Sequence, residues 1–282
     1  MDEKRLAEIT KRLDKLPTLP QTSQKILSAI EKDASAKELE KIIYEDQSLA
    51  AKILKLANSP LYASASGETK SLKMAIVRLG FGEVRNIVLA SALSYILKPS
   101  ATFKKFDMLR LWIHAIGVAR AAFLLGEAEK SEAETLYSVG LLHDIGRLVL
   151  AVFLPDHFLK ILAIQEAKGC SFYEAEKEIG VLHDEIGGYI AQKWCFSEDF
   201  VKAIKNHHQP VQNGKIDKGA AFIFKADLIA RAAGFVPEEG YNKLPKWPKA
   251  LPLNKNELTK IILILKKEKE DLLQAWHPII AA

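Results

Sequence analysis

Apolar residues recur three or four positions apart through most of this chain, and no other sequence feature constrains its fold as strongly. The alternating pattern that marks β-strands is nearly absent, so the predicted fold class is all-α. The pattern predicts N-terminal helices over residues 4–16, 20–32, 36–44, 46–57, 71–79 and 82–97, with Gly80 or Gly82 between the last two. Further along the chain it predicts helices over about 108–127, 132–152, 155–168, 171–194, 198–208, 218–234 and 255–275.

A polar stretch without helical periodicity divides these helices into two groups. Residues 98–107 hold a proline, a serine and three lysines, and we place the domain boundary there. Residues 1–100 are predicted to form an N-terminal helical bundle, packed on a second helical bundle over residues 101–282. In the second bundle, four prolines make the segment 234–256 too proline-rich for a regular element. We expect this segment to lie on the surface before a C-terminal helix.

Cysteine usage and the N-terminus indicate a cytoplasmic protein. Only two cysteines are present, Cys170 and Cys195, and a chain of 282 residues with 49% hydrophobic residues needs no disulfide to hold its core. The first five residues include four charged ones, unlike a secretory signal, and no run of about 18 uncharged apolar residues occurs. We therefore expect no membrane partner. A net charge of +5 permits nucleic acid as a partner without requiring it.

Histidines and aspartates on predicted inward faces are the main functional signal. On predicted helices of the second half, five of the seven histidines and two aspartates stand out by their position. Apolar or small residues surround them, and one His-Asp pair interrupts the most apolar run, residues 139–154. Burying an unpaired carboxylate is costly, so Asp227 requires a cation or a strong donor opposite it. The full set is His114, His143, Asp144, His183, His207, His208 and Asp227.

We interpret this set as one metal site inside a helical bundle, built from side chains on facing helices. Imidazole and carboxylate donors suit divalent Fe, Mn, Ni or Zn better than a hard ion such as Ca. Asp144 is placed to bridge two ions, an arrangement that activates water against a phosphoester, so one or two ions are predicted. The alternative, in which each inward histidine makes its own core hydrogen bonds, stays open. His157 and His277 are predicted to be surface residues.

The order of these residues, from His114 through the His143-Asp144 doublet to Asp227, resembles the HD superfamily of metal-dependent phosphohydrolases. The surrounding motifs resemble its HDOD branch, the HD-related output domain of bacterial signalling. The motifs are LPTLP at 16–20, EDQSL at 45–49, LANSPLY at 56–62, AIVRLG at 75–80, GLLHDIG at 140–146 and HHQP at 207–210. The similarity extends from about residue 14 to residue 235.

The resemblance implies two groups of metal ligands. The first group binds one ion and consists of His114, His143, Asp144 and Asp227. The second group matches the additional histidines that give the related HD-GYP phosphodiesterases a second ion, and it consists of His183, His207 and His208. The Gly-Tyr-Pro tract is missing after the double histidine, where residues 211–215 read VQNGK, which argues against cyclic dinucleotide hydrolysis. Arg110 stands where a glutamate would be needed for a third ion.

Three functions are compatible with the sequence. The first is an HDOD-type signal-transduction module that retains its metal site and binds a signalling protein in trans. The second is a metal-dependent phosphohydrolase or phosphodiesterase acting on a nucleotide or another phosphoester, with Asp144 and Arg147 as catalytic residues. By resemblance, Arg147 stands near the phosphate, and a surface position is the alternative. The third, DNA binding through residues 36–57, is disfavoured because the second helix there begins with Asp46.

Overall fold

The structure, a computed structural model, describes residues 18–62, 67–96, 107–237, 246–252 and 254–280. Regular structure in these residues is helical apart from one two-stranded hairpin, which confirms the predicted all-α class. The residues group into two compact units. We call residues 107–265 the C-terminal unit, and residues 18–96 with 266–280 the N-terminal unit. The predicted helix at 4–16 and most of the predicted boundary, 97–106, lie outside the described residues.

Two helices of the N-terminal unit begin at polar caps. Its first four helices are α1 (Gln21–Glu31), α2 (Ala36–Ile43), α3 (Gln47–Ala57) and α4 (Leu72–Ile96). Ser35 and Glu38 form a capping box before α2, and the Asp46 side chain accepts a hydrogen bond from the Leu49 backbone N–H at the start of α3. Helix α1 packs against α2 and α4, and α3 packs against α4.

The helices of the C-terminal unit pack around one interior. In chain order they are α5 (Met108–Ala128), α6 (Ala133–Leu142), α7 (Ile145–Phe153), α8 (Pro155–Lys168), α9 (Phe172–Ile179), α10 (His183–Lys193), α11 (Glu198–Asn206), α12 (Lys218–Ala232) and the start of α13 (Lys255–Ile280). Helix α5 packs against α6 and α12, while α10 packs against α7 and α11. Helix α12 also packs against α11 and α6. These contacts bring five separate chain segments toward the same interior.

Two predicted helices are each broken into two. The helix predicted over 132–152 is interrupted at His143 and Asp144, which form a turn between α6 and α7. The helix predicted over 171–194 is interrupted at residues 180–182, because Gly180 adopts a φ of 73° and ends α9. Apolar periodicity continues across both breaks, so the sequence pattern does not reveal them. Both breaks lie beside predicted site residues.

A small hairpin corrects the expectation that this half is entirely helical. Strands β1 (Val211–Gln212) and β2 (Lys215–Ile216) are antiparallel, with Val211 opposite Ile216. Asn213 and Gly214 form the connecting turn with φ values of 50° and 74°. An Asn-Gly pair favours this two-residue turn, so residues 213–214 carried a hairpin signal that the helical interpretation missed.

Helix α4 bends at Gly80, which settles the choice between the two predicted glycine breaks. Gly80 has φ 80° and ψ 161°, a backbone conformation open almost only to glycine. The helical conformation is lost at this residue, so the two predicted helices lie on either side of a kink within α4.

Gly80→Ala is expected to lower the free energy of unfolding by about 1–3 kcal/mol, because a Cβ there strains the backbone. No atom lies within 4 Å of the added Cβ, so packing does not contribute. Urea denaturation measures the change. Gly169→Ala is the matched control, because an added Cβ at Gly169 also has no atom within 4 Å. Gly169 adopts the milder left-handed helical conformation, with φ 60° and ψ 31°. A loss no larger than that of the control would contradict the prediction.

Helix α13 is divided between the two compact units. The prediction placed the whole helix in the second half, but its residues from 266 onward belong to the N-terminal unit. There, Lys52 Nζ donates hydrogen bonds to Ser91 Oγ at 3.0 Å and to the Ile279 carbonyl at 3.4 Å. Periodicity shows that a helix has an apolar face but does not show which neighbour covers it.

The described residues of the proline-rich segment that precede α13 form no regular element, and they are anchored to α12. Leu251 is buried with Ala221 and Phe224, and Trp247 packs against this cluster. Trp247 Nε1 also donates a hydrogen bond to the Leu251 carbonyl at 2.8 Å.

Two stretches of the described chain, 108–128 and 133–153, are long and apolar enough to span a membrane by length and composition. Most of each stretch is buried within the protein. The second is also interrupted by the turn at His143 and Asp144. Burial against neighbouring helices accounts for the apolar composition of both. Cys170 and Cys195 are free thiols.

Candidate metal centre

The predicted site residues meet inside the C-terminal unit, although they come from five chain segments. His114 lies in the middle of α5, and the His143-Asp144 doublet forms the turn between α6 and α7. His183 begins α10, and Asp227 lies on α12. The adjacent histidines at 207–208 follow the end of α11. All are buried except His208, which is partly exposed.

A glycine in α6 brings the doublet close to α5. A Cβ at Gly140 would lie 2.8 Å from the Cα of Ala119, so only glycine fits where the two helices cross. This close approach places the rings of His114 and His143 5.3 Å apart, measured between ring centroids.

A second glycine brings α7 against α10. A Cβ at Gly146 would lie 1.9 Å from the backbone oxygen of His183, which leaves no room for any side chain. Because Gly146 follows the doublet by two residues, this contact holds the Asp144 carboxylate beside the His183 ring.

Asp144 lies at the centre, and its two oxygens face different imidazoles. Oδ1 lies 3.0 Å from His183 Nε2 and 3.8 Å from His207 Nε2. Oδ2 lies 3.6 Å from His143 Nε2 and 3.9 Å from His114 Nε2. One carboxylate therefore joins two groups of donors.

Each group has ligand atoms that all lie within 4.8 Å of one another. The four-residue group is Asp144, His183, His207 and His208, and the three-residue group is His114, His143 and Asp144. Four nitrogen and oxygen donors complete the coordination of an ion such as Zn²⁺, whereas three leave a position open.

Backbone carbonyls orient three of the imidazoles. His114 Nδ1 lies 2.8 Å from the Phe235 carbonyl. His143 Nδ1 lies 2.7 Å from the Gly140 carbonyl, and His207 Nδ1 lies 2.7 Å from the Ile204 carbonyl. A carbonyl oxygen only accepts, so Nδ1 donates in each case. In the neutral rings of His143 and His207, Nε2 then keeps its lone pair and faces Asp144, as a metal-binding histidine requires.

Burial favours the neutral form of several of these histidines. It lowers the pKa of His143, and together with neighbouring imidazoles it lowers the pKa of His207 to about 3. The pKa of His208 is lowered for the same reasons. Burial opposes the charge of Asp144, but the adjacent histidines and an arginine outweigh it and hold the pKa of Asp144 well below its usual range. The neutral imidazoles of His143 and His207 therefore face an ionised carboxylate at neutral pH.

Glu176 is a site residue that the sequence analysis missed. Its buried carboxylate accepts hydrogen bonds from His183 Nδ1 at 2.6 Å and from the His183 backbone N–H at 3.0 Å. Burial opposes the charge of His183, but Glu176 and Asp144 raise the pKa of His183 to about 10. A signal was present in the sequence, because Glu176 shares the inward face of α9 with Phe172 and Ile179.

Glu176→Gln is expected to weaken Zn²⁺ binding about 10–100-fold, the usual effect of removing a carboxylate that orients a metal-binding histidine. A competition titration with a chromophoric chelator measures the dissociation constant. Glu178→Gln is the matched control, because Glu178 lies on the same helix but is exposed and pairs with Lys168 at 2.7 Å. Equal affinities in the two variants would contradict the assigned role of Glu176.

The cation expected opposite Asp227 is Arg231, one turn further along α12. Arg231 Nε lies 2.7 Å from Asp227 Oδ1, and His114 Nε2 lies 3.1 Å from the same oxygen. Burial favours the neutral acid, but Arg231 and His114 outweigh it and hold the pKa of Asp227 well below its usual range. Among the described residues, Asp227 belongs to neither ligand group. Its role as a metal ligand stays a prediction.

Arg147 is buried, so the alternative of a surface position is wrong. Its Nη1 lies 3.1 Å from Asp144 Oδ2, and its guanidinium lies 4.2 Å from the ring centroid of Phe172. A group suited to binding phosphate oxygens therefore stands at the edge of the metal centre. Of the two histidines predicted at the surface, His277 is exposed and His157 is partly buried.

The donor set fits a divalent transition metal ion. His183 Nε2 lies 3.4 Å from His207 Nε2 and 3.1 Å from His208 Nε2. Nitrogen atoms this close need a hydrogen or a cation between them. The proton on His183 Nε2 supplies the hydrogen in the metal-free protein, and an ion would replace that proton.

A helical protein with buried histidines and aspartates arranged around a His-Asp doublet is of the HD type. The family model for the HDOD domain matches residues 16–210. The chain belongs to the HDOD domain family, which confirms the resemblance found in its motifs.

Three crystal structures are similar over almost the whole chain. A protein from Shewanella amazonensis, provisionally named a phosphohydrolase, is 26% identical to this chain, with a TM-score of 0.75. The match covers 96% of this chain and 97% of the other. A protein from Marinobacter aquaeolei, provisionally named a signal transduction protein, is 25% identical, with a TM-score of 0.77. The match covers 95% of this chain and 60% of the other. A Geobacter sulfurreducens HDOD protein of unknown function is 24% identical, with a TM-score of 0.73 and coverages of 94% and 96%, and shares the fold.

A curated relative from Treponema pallidum, an uncharacterized protein, is 27% identical over 206 residues. The match covers 72% of this chain but 39% of the relative, so the chain corresponds to a part of that longer protein.

Proposed function

We propose that this chain is a metal-binding HDOD module that acts in bacterial signal transduction, in the cytoplasm, by binding a partner protein in trans. The observation that carries the proposal is the convergence of buried imidazoles on one carboxylate, with Asp144 Oδ1 3.0 Å from His183 Nε2. The family and the provisional signal-transduction name of the Marinobacter aquaeolei protein support a regulatory role.

An ion bound at the four-residue group would hold three segments of such a module together. Its ligands come from the turn between α6 and α7, the start of α10 and the end of α11. A bound Fe, Mn, Ni or Zn ion supplies positive charge between them. His208 is partly exposed and stacks on Tyr173 with ring centroids 4.1 Å apart, so this edge of the site is accessible to a partner. The ligands together hold three segments in one arrangement that a partner can recognise.

A phosphohydrolase is the second candidate, and the position of Arg147 favours it. Its buried guanidinium lies beside Asp144 and is able to hold two phosphate oxygens at once. In this function Asp144 orients the attacking water, Arg147 positions the phosphoester, and the ion supplies Lewis acidity. The provisional phosphohydrolase name of the Shewanella amazonensis protein adds support.

DNA binding is not part of the proposal. The Asp46 carboxylate caps the start of α3 by accepting a hydrogen bond from the Leu49 N–H. It occupies the helix end where a DNA phosphate would bind, and it repels one. We expect no nucleic-acid partner.

Metal content and phosphodiester turnover, measured together, distinguish the two candidates. The purified protein is analysed for bound metal and for release of nitrophenol from bis(p-nitrophenyl) phosphate. Metal without turnover supports the signalling module. Turnover that disappears in both His143→Ala and Asp144→Ala supports the hydrolase. Absence of metal, or a pull-down that recovers no reproducible partner together with absence of turnover, would contradict the proposal.

A further inference from the structure

Two arginines hold the carboxylates on one side of the metal centre. Arg231 Nε lies 2.7 Å from Asp227 Oδ1, and the two side chains are only 15% and 6% exposed. Arg147 Nη1 lies 3.1 Å from Asp144 Oδ2, the oxygen that faces His114 and His143. A guanidinium keeps its charge at any pH the protein tolerates. This side of the centre therefore already contains two permanent cations.

The other side of the centre is different. Asp144 Oδ1 faces His183 at 3.0 Å and His207 at 3.8 Å, and the ion pair with Arg147 is made through Oδ2. With His208 these residues form the four-residue group, which needs no contribution from Asp227. The three-residue group lacks a fourth protein donor, and Asp227, the residue that would provide it, is paired with Arg231.

We infer that Arg231 competes with a metal ion for Asp227, so that the chain binds one ion, at the four-residue group. This inference rests on the proposed function, because both require an ion at Asp144. An ion at the three-residue group would lie beside two guanidinium groups, and repulsion between like charges weakens its binding. Removing the charge of Arg231 releases Asp227 to complete a second position with His114, His143 and Asp144.

The test is the number of Mn²⁺ ions bound per chain, measured by equilibrium dialysis and elemental analysis. We expect one ion in the wild type, two in Arg231→Met, and one in Arg231→Lys, which keeps a cation. Electron paramagnetic resonance should show an isolated Mn²⁺ ion in the wild type and a coupled pair in Arg231→Met. Arg120→Met is the matched control, because Arg120 packs over Phe123 at 5.4 Å, and it should bind one ion.

A second variant keeps the inference testable if Arg231→Met does not fold. In Asp227→Asn the wild-type arginine is retained, and we expect one ion with a dissociation constant within about threefold of the wild type. Loss of that ion would show that Asp227 is a ligand and would overturn the inference. Two ions in the wild type, or one in a folded Arg231→Met, would also overturn it. If the wild type binds no ion, or Asp144→Ala binds as many as the wild type, the proposed function itself fails.

Discussion

Gly146→Ala is expected to destabilise the C-terminal unit by about 3 kcal/mol or more, at or above the upper end of the usual cost of overpacking. The added Cβ would lie 1.9 Å from the His183 carbonyl oxygen, 2.8 Å from its carbon and 2.9 Å from the backbone nitrogen of Gly187. All three are backbone atoms, so no rotamer change relieves the clash. Helices α7 and α10 must separate, which also moves Asp144 away from His183 and weakens metal binding.

Thermal and urea denaturation measure the destabilisation, and metal titration measures the loss of affinity. Gly187→Ala is the matched control at the same helix contact. Its Cβ would meet the Ile204 Cγ2 at 3.0 Å, the Ile145 Cγ2 at 3.4 Å and the Gly146 backbone nitrogen at 3.5 Å. Its closest contacts are side-chain atoms that can shift, so its cost should be clearly smaller. Equal effects of the two substitutions would contradict the packing argument.

Asp144→Asn is expected to abolish stabilisation of the protein by metal. At an ion concentration 100 times the dissociation constant, binding to the folded state alone adds about 2.7 kcal/mol to the free energy of unfolding. Asp144 belongs to both ligand groups, so its loss removes a donor from every arrangement that holds an ion. Asparagine keeps the shape of the side chain but not the charge that balances the cations around it.

The measurement is the melting temperature with Zn²⁺ and with a chelator, compared within each variant. The comparison removes the separate cost of leaving Arg147 and His183 without their carboxylate, a cost present under both conditions. The wild type should melt at a lower temperature with the chelator, and Asp144→Asn should melt at the same temperature in both. Asp271→Asn, an exposed position on α13, should behave as the wild type. A metal-induced shift in Asp144→Asn equal to that of the wild type would exclude Asp144 as a ligand.

The helices and the polar residues of the centre were predictable, but the breaks between helices were not. The doublet at 143–144 was read as an interruption of an apolar run within one helix, whereas it forms the turn that joins two. Hydrophobic periodicity reports the face that a helix buries, and it stays in phase across a turn as short as this one. The hairpin at 211–216 was predictable, because its Asn-Gly turn is a recognised signal.

The partners of the site residues were less predictable than the site itself. A cation was expected opposite Asp227, and its spacing of four residues from Arg231 offered one, yet the pairing was not assigned. Glu176 lies on an apolar helical face, but no histidine or aspartate beside it in the sequence marks it as part of the site. The backbone acceptor for His114, the Phe235 carbonyl, carries no side-chain signal at all.

The sequence by itself determined the helical fold class, the family and the side chains able to hold a metal, because periodicity and polar residues on apolar faces are local patterns. Only the tertiary structure decided how the donors are shared. It directs one oxygen of Asp144 to His183 and the other to Arg147, and it engages Asp227 with a guanidinium. The contact of Asp144 with His183 joins positions far apart in the chain, whereas the two arginine contacts lie within one helical turn. The long-range contact depends on how closely helices approach at glycines such as Gly146, which no local pattern encodes.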